Sequence, residues 1–554
     1  MLSSTFTAST HAVAGSVALS ALVGVLPLVA FFLLLMGLKL KAHWSAMGAA
    51  AIALLLAIFA FHMPIHLAAL SLTQGVAFGV FPIIFIIWMA VWIYDLTVSS
   101  GRFEDLRLIF SRIGRGDMRV QAMLIGFCFG GLLEALAGFG APVAIIAAML
   151  LAIGMKPMKA VLTTLVANTA PVAFGAMAIP VTTAANLSGL HAETLASMTG
   201  RQVSLLAVVV PFILCLIMDG TRGLRQIWPM ALVVGVCFGG GQFLASNYFS
   251  YVLTDVVACL VSLVMGVLFL RVWAPSTPED QASQVDANAA SLTGQRMTLA
   301  LFPYVLIVVA FAFTSLWRIG IDVPAALKKT DIAIEWPGLH GHLLSGSGKP
   351  VTSTIFNFTW LSNPGTILFL CGIITAVVYT VANKGDAFPM TVPKAFRELG
   401  AGLVRMRWSY VTIASVMGLA YVMNFSGQTA SIGALLATTG AFFPLISPAL
   451  GWLGTAVTGS ATSANALFAQ MQASAADQIQ ASHYLMVGAN TSGAVLGKML
   501  SPQTAAIAAA ATKMENGEGR ILGQSWKFSL GLLVFLGIVV YLQSTGVLGW
   551  MVVG

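Results

Sequence analysis

Residues 168–180 read NTAPVAFGAMAIP, and residues 490–502 read NTSGAVLGKMLSP. Five residue identities recur in the same register at an offset of 322 residues: Asn168, Thr169, Gly175, Met177 and Pro180 correspond to Asn490, Thr491, Gly497, Met499 and Pro502. The same offset places AGFGAPVA (137–144) opposite GSATSANA (459–466). Polar, helix-breaking motifs at matching points of an apolar chain are typical of a duplicated membrane transporter.

The composition of the chain points to the same class of protein. Of its 554 residues, 58% are hydrophobic and 8% are charged, against about 25% charged residues in soluble domains. Apolar runs of about 20 residues, long enough to cross a bilayer, recur along the chain. We therefore predict an all-α polytopic membrane protein with about 12 spans plus two re-entrant hairpins in an inverted-topology repeat.

The charges and cysteines exclude several other classes. The net charge of +8 comes from short basic clusters between apolar runs, such as Lys39–Lys41 and Lys513–Arg520. This spacing is the positive-inside pattern and not a nucleic-acid-binding face. The five cysteines lie in or near apolar runs without the spacing of metal ligands, so neither a metal site nor a disulfide framework is predicted. No cofactor is implied, and the sequence makes no prediction of the oligomeric state.

Placing the basic clusters in the cytoplasm divides the chain into two halves joined by a polar linker. The first half, 1–273, is predicted to contain one long or tilted span at 68–98, a hairpin at about 121–153 and a motif helix at 159–181. Two short spans are the alternative to the hairpin. The linker at 274–297 is cytoplasmic. The second half, 298–554, is predicted to contain an external loop at 318–363, a hairpin at about 445–478 and a motif helix at 484–511. Asn168 then lies on an outward-running span and Asn490 on an inward-running one, as an inverted repeat requires.

The hairpin tips are the first candidate binding groups. A helix broken by glycine and proline leaves free N–H groups and partial positive charge at the start of the next half-helix, a suitable site for a carboxylate. The tips also offer hydroxyl and amide side chains. Small residues that pack membrane helices together are the alternative interpretation. The candidate residues are Gly138, Phe139, Gly140 and Ala141 in the first tip, and Ser460, Thr462, Ser463 and Asn465 in the second.

The paired Asn-Thr motifs form a second candidate group. Asn168 and Thr169 lie mid-span, as do Asn490 and Thr491, and we expect them to face the hairpin tips. Their amide and hydroxyl groups can donate hydrogen bonds to a substrate carboxylate or to a neighbouring hydroxyl. The alternative is hydrogen bonding between helices, which stabilises a bundle only modestly.

Two charged residues within apolar segments complete the predicted site, because intramembrane charges are functional hypotheses by default. Glu134 lies just before the first hairpin tip and is the predicted proton carrier, the alternative being a neutral carboxyl hydrogen-bonded to hairpin backbone. Lys498 lies inside the second Asn-Thr motif, where the first copy has Ala176. A cation on one side suits an anionic substrate, and the alternative is a lysine that extends to the cytoplasmic interface.

The motifs also carry a family resemblance. The chain resembles the bacterial lactate permease family, which includes L-lactate and glycolate permeases, at LLEALAGFGAPVAI (132–145), VANTAPVAFGAMAIP (166–180), TGSATSANALFA (458–469) and ANTSGAVLGKMLSPQ (489–503). The resemblance implies a multi-pass transporter of the bacterial cytoplasmic (inner) membrane that carries a small monocarboxylate anion, lactate or glycolate, together with a proton. It further implies an elevator-like arrangement and no enzymatic activity.

One position departs from the family pattern. The third residue of the second hairpin tip is Asp in the family and Ala461 here, which bears on the coupling mechanism more than on the substrate class. Glu134 is then the predicted proton-coupling residue. A sodium-coupled carboxylate or organic-anion transporter is the nearest alternative, since unwound backbone and hydroxyl oxygens could hold sodium. A channel is a further alternative, and a membrane enzyme is the weakest because Glu134 has no acid, base or metal partner in sequence reach.

Overall fold

The structure is a computed structural model that describes residues 5–38, 40–111, 116–136, 141–282, 292–314, 323–344, 350–383, 385, 388–514 and 517–554. In the described part of the first half, the α-helices are α1 (Val17–Gly24), α2 (Leu26–Phe32), α3 (Ala42–Phe59), α4 (Ile65–Phe78), α5 (Phe85–Ser99), α6 (Arg102–Ser111), α7 (Met118–Met123), α8 (Gly130–Leu136), α9 (Ala141–Ala152), α10 (Pro157–Ala167), α11 (Gly175–Ser188), α12 (Ala192–Leu244) and α13 (Thr254–Val272).

The second half is also helical. Its described helices are α14 (Gly294–Thr314), α15 (Val323–Lys328), α16 (Pro364–Val381), α17 (Val392–Ser426), α18 (Gln428–Ala437), α19 (Phe443–Thr458), α20 (Ala461–Ile479), α21 (His483–Gly497), α22 (Pro502–Ala511) and α23 (Glu518–Gln543). The strands are β1 (Phe6–Thr7), β2 (Ile332–Glu335), β3 (Leu343–Leu344) and β4 (Ile355–Phe358). They form two small sheets, β1 parallel to β3 and β2 antiparallel to β4.

The predicted all-α polytopic membrane fold is confirmed. Within the described residues, nine helices are long and apolar enough to span a membrane, or up to eleven if each of two bent helix pairs counts as one span. Helices suit a bilayer because every backbone N–H and C=O finds its partner within the same segment. The number of about 12 spans and the inverted orientation of the two halves stay predictions.

The long span expected at 68–98 contains a break that the sequence analysis did not place. Helix α4 ends at Phe78 and α5 begins at Phe85. Between them Phe81 has the extended backbone angles φ −137° and ψ 121°, and the Phe81–Pro82 peptide bond is cis. Pro82 has no backbone N–H, so a regular helix loses a hydrogen bond at this point.

Both motif helices, predicted at 159–181 and 484–511, are likewise divided within the motifs. Helix α10 ends at Ala167, and α11 begins at Gly175 after a bend of 60°. Helix α21 ends at Gly497, and α22 begins at Pro502 after a short 3-10 turn. Pro502 suits the start of a helix because the first N–H groups have no partner within the helix.

The linker between the halves is tied to the first half by a buried arginine. Arg119 Nη2 donates to Asp117 Oδ2 at 2.8 Å and to the Ser276 carbonyl at 3.1 Å, and its Nη1 donates to Asp219 Oδ2 at 2.7 Å. Arg222 bonds to Asp280 at 2.6 Å and holds the pKa of that carboxyl at about 2. These contacts fix residues 276–280 against the start of α7 and against the break in the middle of α12, at Asp219 and Gly220. Residues 283–291 of the predicted linker lie outside the described part of the chain.

Close packing of α19 against α21 depends on glycine. A Cβ atom at Gly493 would lie 1.9 Å from the Pro448 carbonyl oxygen, and one at Gly451 would lie 1.9 Å from the Asn490 carbonyl oxygen. Small residues let membrane helices approach to backbone contact. This approach brings the Asn490 motif against the second helix pair, α19 and α20.

We expect Gly493→Ala and Gly451→Ala to lower the stability of the protein by at least the roughly 1–3 kcal/mol typical of overpacking, because the obstructing atoms are backbone atoms. Thermal unfolding of the purified protein in detergent measures the effect. Gly531→Ala is the matched control, since nothing lies within 4 Å of a Cβ built at that position of α23. An equal unfolding temperature for all three variants would contradict the packing role.

Candidate functional site

The first Asn-Thr motif lies at the bend between α10 and α11. Asn168 is the residue that follows the last turn of α10, at its C-terminal end, and it is only 5% exposed. Beyond the bend, the residues Ala176, Met177 and Ala178 have φ values of 45°, 60° and 61°. Left-handed backbone is uncommon for residues other than glycine, and such strain concentrates at functional sites. The bend therefore marks the first half's contribution to a site.

A buried ion pair joins the two halves at this bend. Lys498 Nζ lies 2.5 Å from Glu134 Oε1, and the side chains are 7% and 4% exposed respectively. Asn168 Nδ2 donates to the other carboxylate oxygen, Glu134 Oε2, at 3.0 Å. Both oxygens of Glu134 thus accept hydrogen bonds from side chains. Lys498 points inward to Glu134 and does not extend to the interface.

A glycine makes room for the carboxylate. A Cβ atom at Gly175 would lie 3.2 Å from Glu134 Oε1 and 3.4 Å from the Glu134 carbonyl oxygen. Helix α8 therefore presses against the start of α11 at the residue where the ion pair forms. The recurrence of glycine at 175 in the sequence motif has a steric cause at this contact.

The second hairpin tip lies where α19 meets α20. Gly459 has a φ of 72°, a left-handed conformation that favours glycine. Ser460 then caps α20 by accepting the Ser463 N–H at 3.2 Å. Thr458 accepts the Ser460 N–H, also at 3.2 Å. The tip is thus a tight turn in which side-chain oxygens accept the N–H groups of Ser460 and Ser463, the second of them in the first turn of α20.

The remaining amides form a separate buried network. Asn465 Oδ1 accepts from Asn490 Nδ2 at 2.8 Å and from Thr491 Oγ1 at 3.2 Å. Asn465 Nδ2 donates to the Pro180 carbonyl at 2.8 Å, which links the second hairpin to α11 in the first half. Gln472 Nε2 completes the network by donating to Asn490 Oδ1 at 3.3 Å. Asn465 and Asn490 therefore hold the helices around the ion pair in register.

Two cavities meet at the second hairpin tip. A small cavity of about 30 Å³ is lined by Glu134, Val172, Gly175, Ala176, Pro180, Gly459, Ser460, Ala461, Thr462 and Lys498. A larger cavity of about 710 Å³ includes Lys41, Trp408, Gly459, Ser460, Ser463 and Glu518 in its wall. Gly459 and Ser460 line both. The turn at these two residues therefore separates the ion pair from the larger cavity.

The predicted site residues are distributed over these features. Glu134, Asn168 and Lys498 are in direct contact, and Ser460 and Thr462 line the small cavity beside them. Thr169 Oγ1 donates to the Val166 carbonyl of its own helix at 2.7 Å. Ser463 lines the larger cavity, and Asn465, Asn490 and Thr491 form the amide network. Gly138, Phe139 and Gly140 lie outside the described residues, and of Ala141 the structure describes the backbone, at the start of α9.

Sequence reasoning missed a buried carboxyl near the bend. Asp255 on α13 is 1% exposed, and its Oδ1 accepts from Gln242 Nε2 at 2.8 Å. The same amide donates to the Ala170 carbonyl at 2.9 Å, within the bend. An aspartate inside an apolar span is a signal that the rule for intramembrane charges would have found. Gln472 gave no comparable signal because a lone glutamine has no distinctive spacing.

Comparison with known proteins assigns the family. The profile of the L-lactate permease family matches residues 20–546. The chain belongs to this family. It is 38% identical over 553 residues to the glycolate permease GlcA of Escherichia coli strain K12, with 96% of each chain covered. It is 37% identical over 555 residues to the L-lactate permease of the same strain, with 97% of this chain and 98% of the relative covered.

Family membership confirms the resemblance seen in the motifs, and it identifies the protein as a multi-pass protein of the bacterial inner membrane. Among solved structures, the YdaH transporter of Alcanivorax borkumensis is similar with a TM-score of 0.44 and 15% identity, covering 87% of this chain and 89% of that one. Within the described residues there is no group of three or more His, Cys, Asp or Glu side chains that could hold a metal ion.

We expect the effects of Glu134 and Lys498 on the stability of the protein to depend strongly on each other. Removal of one partner of a buried pair leaves an uncompensated charge and costs about 3–5 kcal/mol. Lys498→Met and Glu134→Gln should therefore each lower the unfolding temperature in detergent. The double variant should lose less than the two single losses added together. Lys527→Met, at an exposed lysine of α23, is the control; strictly additive effects would show that the pair does not interact.

Proposed function

We propose that the protein is a secondary active transporter that carries lactate and related 2-hydroxymonocarboxylates, such as glycolate, in symport with protons. Family membership and the names of the two relatives support the substrate class. The observation that carries the mechanism is the buried contact between Lys498 and Glu134. It supplies one cation for an anionic substrate and one carboxyl group for a proton, in the same place.

In this mechanism the substrate carboxylate replaces the Glu134 carboxylate on Lys498. The two groups are chemically alike, and the ammonium group can donate up to three hydrogen bonds to either. Displaced from Lys498, Glu134 would be a buried anion without a cation partner, which costs several kcal/mol. Taking up a proton removes that cost. Binding of one anion is thereby linked to binding of one proton.

Asn168 keeps the displaced carboxyl in place. Its amide donates to Glu134 Oε2, the oxygen that Lys498 does not contact. Glu134 can therefore release Lys498 and still hold one hydrogen bond. In this proposal Asn168 positions the proton-carrying group, and the amide network of Asn465 and Asn490 maintains the helix arrangement around it.

Proton coupling also suits the energetics of the membrane. Moving one negative charge inward against an inside-negative potential costs about 2.3 kcal/mol per 100 mV. One proton carried with each anion removes this cost. The large cavity supports a route to the cytoplasm, because Lys41 and Glu518 in its wall lie within the clusters Lys39–Lys41 and Lys513–Arg520, which the positive-inside rule places there. We propose that this conformation faces inward, with the turn at Gly459 and Ser460 closed over the site.

Uptake into proteoliposomes tests the proposal. With an acidic exterior, the wild-type protein should accumulate labelled L-lactate and glycolate above equilibrium, and an inward sodium gradient alone should not drive accumulation. Accumulation driven by sodium and not by protons would favour a sodium-coupled transporter. Equilibration without accumulation under either gradient would indicate a channel or an uncoupled carrier.

We expect Glu134→Gln to separate transport from coupling. Glutamine cannot exchange a proton, but it leaves Lys498 available to the substrate. The variant should retain exchange of external for internal lactate. Its proton-driven accumulation of lactate should fall at least about tenfold, because a coupling free energy of 1.4 kcal/mol already corresponds to a factor of ten. The control is Glu335→Gln, because the Glu335 side chain on β2 is 73% exposed. Unchanged proton-driven accumulation in Glu134→Gln would refute the role of Glu134.

A further inference from the structure

Thr462 is a buried residue whose side-chain hydroxyl takes no part in the hydrogen bonds that hold the described fold together. It is the second residue of α20, is 4% exposed, and lines the small cavity together with Glu134 and Lys498. Within the described part of the chain, no hydrogen bond is formed by its Oγ1 atom. The residue lines the cavity, so its hydroxyl is placed to bind a ligand there.

The other side chains in the cavity wall are hydrogen-bonded, ion-paired or apolar. Glu134 and Lys498 bind each other, and the Ser460 oxygen accepts the Ser463 N–H. The other side chains are apolar or absent: Val172, Gly175, Ala176, Pro180, Gly459 and Ala461. Thr462 therefore offers a side-chain oxygen that can accept a hydrogen bond from a ligand next to the ion pair.

The chemistry of a 2-hydroxy acid matches this arrangement. Its hydroxyl is on the carbon next to the carboxylate, so a substrate whose carboxylate binds Lys498 holds the hydroxyl within the same small cavity. A water-sized group needs about 10–15 Å³ by the same measure of volume, so a cavity of about 30 Å³ has room for about two such groups. The 2-hydroxyl and the methyl group of lactate are each about this size, and glycolate carries only a hydrogen in place of the methyl.

We propose that the Thr462 hydroxyl binds the 2-hydroxyl group of the substrate and is the residue that selects 2-hydroxy acids over unsubstituted carboxylates. The inference rests on the proposed function, because it takes the substrate carboxylate to lie on Lys498. A site that hydrogen-bonds a substrate hydroxyl rejects the analogue without it, since the buried protein group is then left without a partner. Thr462 thereby acts on selectivity and not on the proton.

Competition for uptake tests the role of Thr462. The inhibition constants of L-lactate against propionate, and of glycolate against acetate, are measured for labelled glycolate uptake in proteoliposomes. The wild-type protein should prefer the hydroxy acid in both pairs. Thr462→Val keeps nearly the same side-chain shape and has no hydroxyl. It should reduce the ratio of the two inhibition constants in each pair by about tenfold, equivalent to 1.4 kcal/mol, chiefly because the hydroxy acid binds more weakly. Thr462→Ser keeps the hydroxyl and should keep the preference.

Thr455→Val is the matched control. Thr455 lies on α19 in the same hairpin, is fully buried, and has a hydroxyl without a hydrogen-bond partner, but it lines neither of the two cavities. The same chemical change at this position should leave both preferences unchanged. If Thr462→Val does not fold, Thr462→Ala removes the hydroxyl with a smaller side chain and takes its place in the comparison.

The outcomes separate this inference from the proposed function. An unchanged ratio in the hydroxyl-deleting variant, or an equal loss for hydroxy acid and analogue, overturns the role of Thr462. A wild-type protein that transports lactate and does not distinguish it from propionate also overturns it and leaves carboxylate transport intact. A wild-type protein that transports none of the four acids overturns the proposed function itself.

Discussion

The ion pair between Glu134 and Lys498 is the constraint on which the central part of the structure depends. A charge in the membrane interior is tolerated when it is paired and hydrogen-bonded. The fold therefore has to hold the two backbones at positions from which the side chains can reach each other. The two residues lie 364 positions apart. The two breaks at the motif helices, the glycine at 175 and the amide at 168 are all features that let these side chains meet.

Other parts of the fold serve the same meeting point. Glycines on α19 and α21 permit backbone contact between the second hairpin and the helix that leads to Lys498. Asn465 on α20 then links the second hairpin to the Pro180 carbonyl in the first half. The left-handed stretch at Ala176–Ala178 redirects α11 after the bend. Packing, backbone strain and hydrogen bonding thus converge on one buried contact.

Much of this could be predicted from the sequence, for identifiable reasons. Hydropathy and loop charge indicated an all-helical membrane protein, and residue identity at a fixed offset found the two motifs. Glu134 and Lys498 were each selected as candidates because a charge in an apolar segment is a functional hypothesis. Their pairing was not predicted, because nothing local to either residue names a partner so distant in the chain. The helix-breaking character of the two motifs was recognised, but their exact breaks, at residues 168–174 and 498–501, came only from the structure. Asp255 was overlooked among the apolar residues of α13.

The one-sided lysine has a consequence for how the family diverges. The position equivalent to Lys498 in the first copy of the motif is Ala176, so the two halves have ceased to be interchangeable at the point where they touch. Loss of the positive charge at residue 498 alone would leave the carboxylate of Glu134 buried without a cation partner. Loss of the negative charge at residue 134 alone would leave the ammonium group of Lys498 without an anion partner. We therefore expect positions 134 and 498 to covary in an alignment of homologous sequences: where one position loses its charge, the other should lose it in the same lineage.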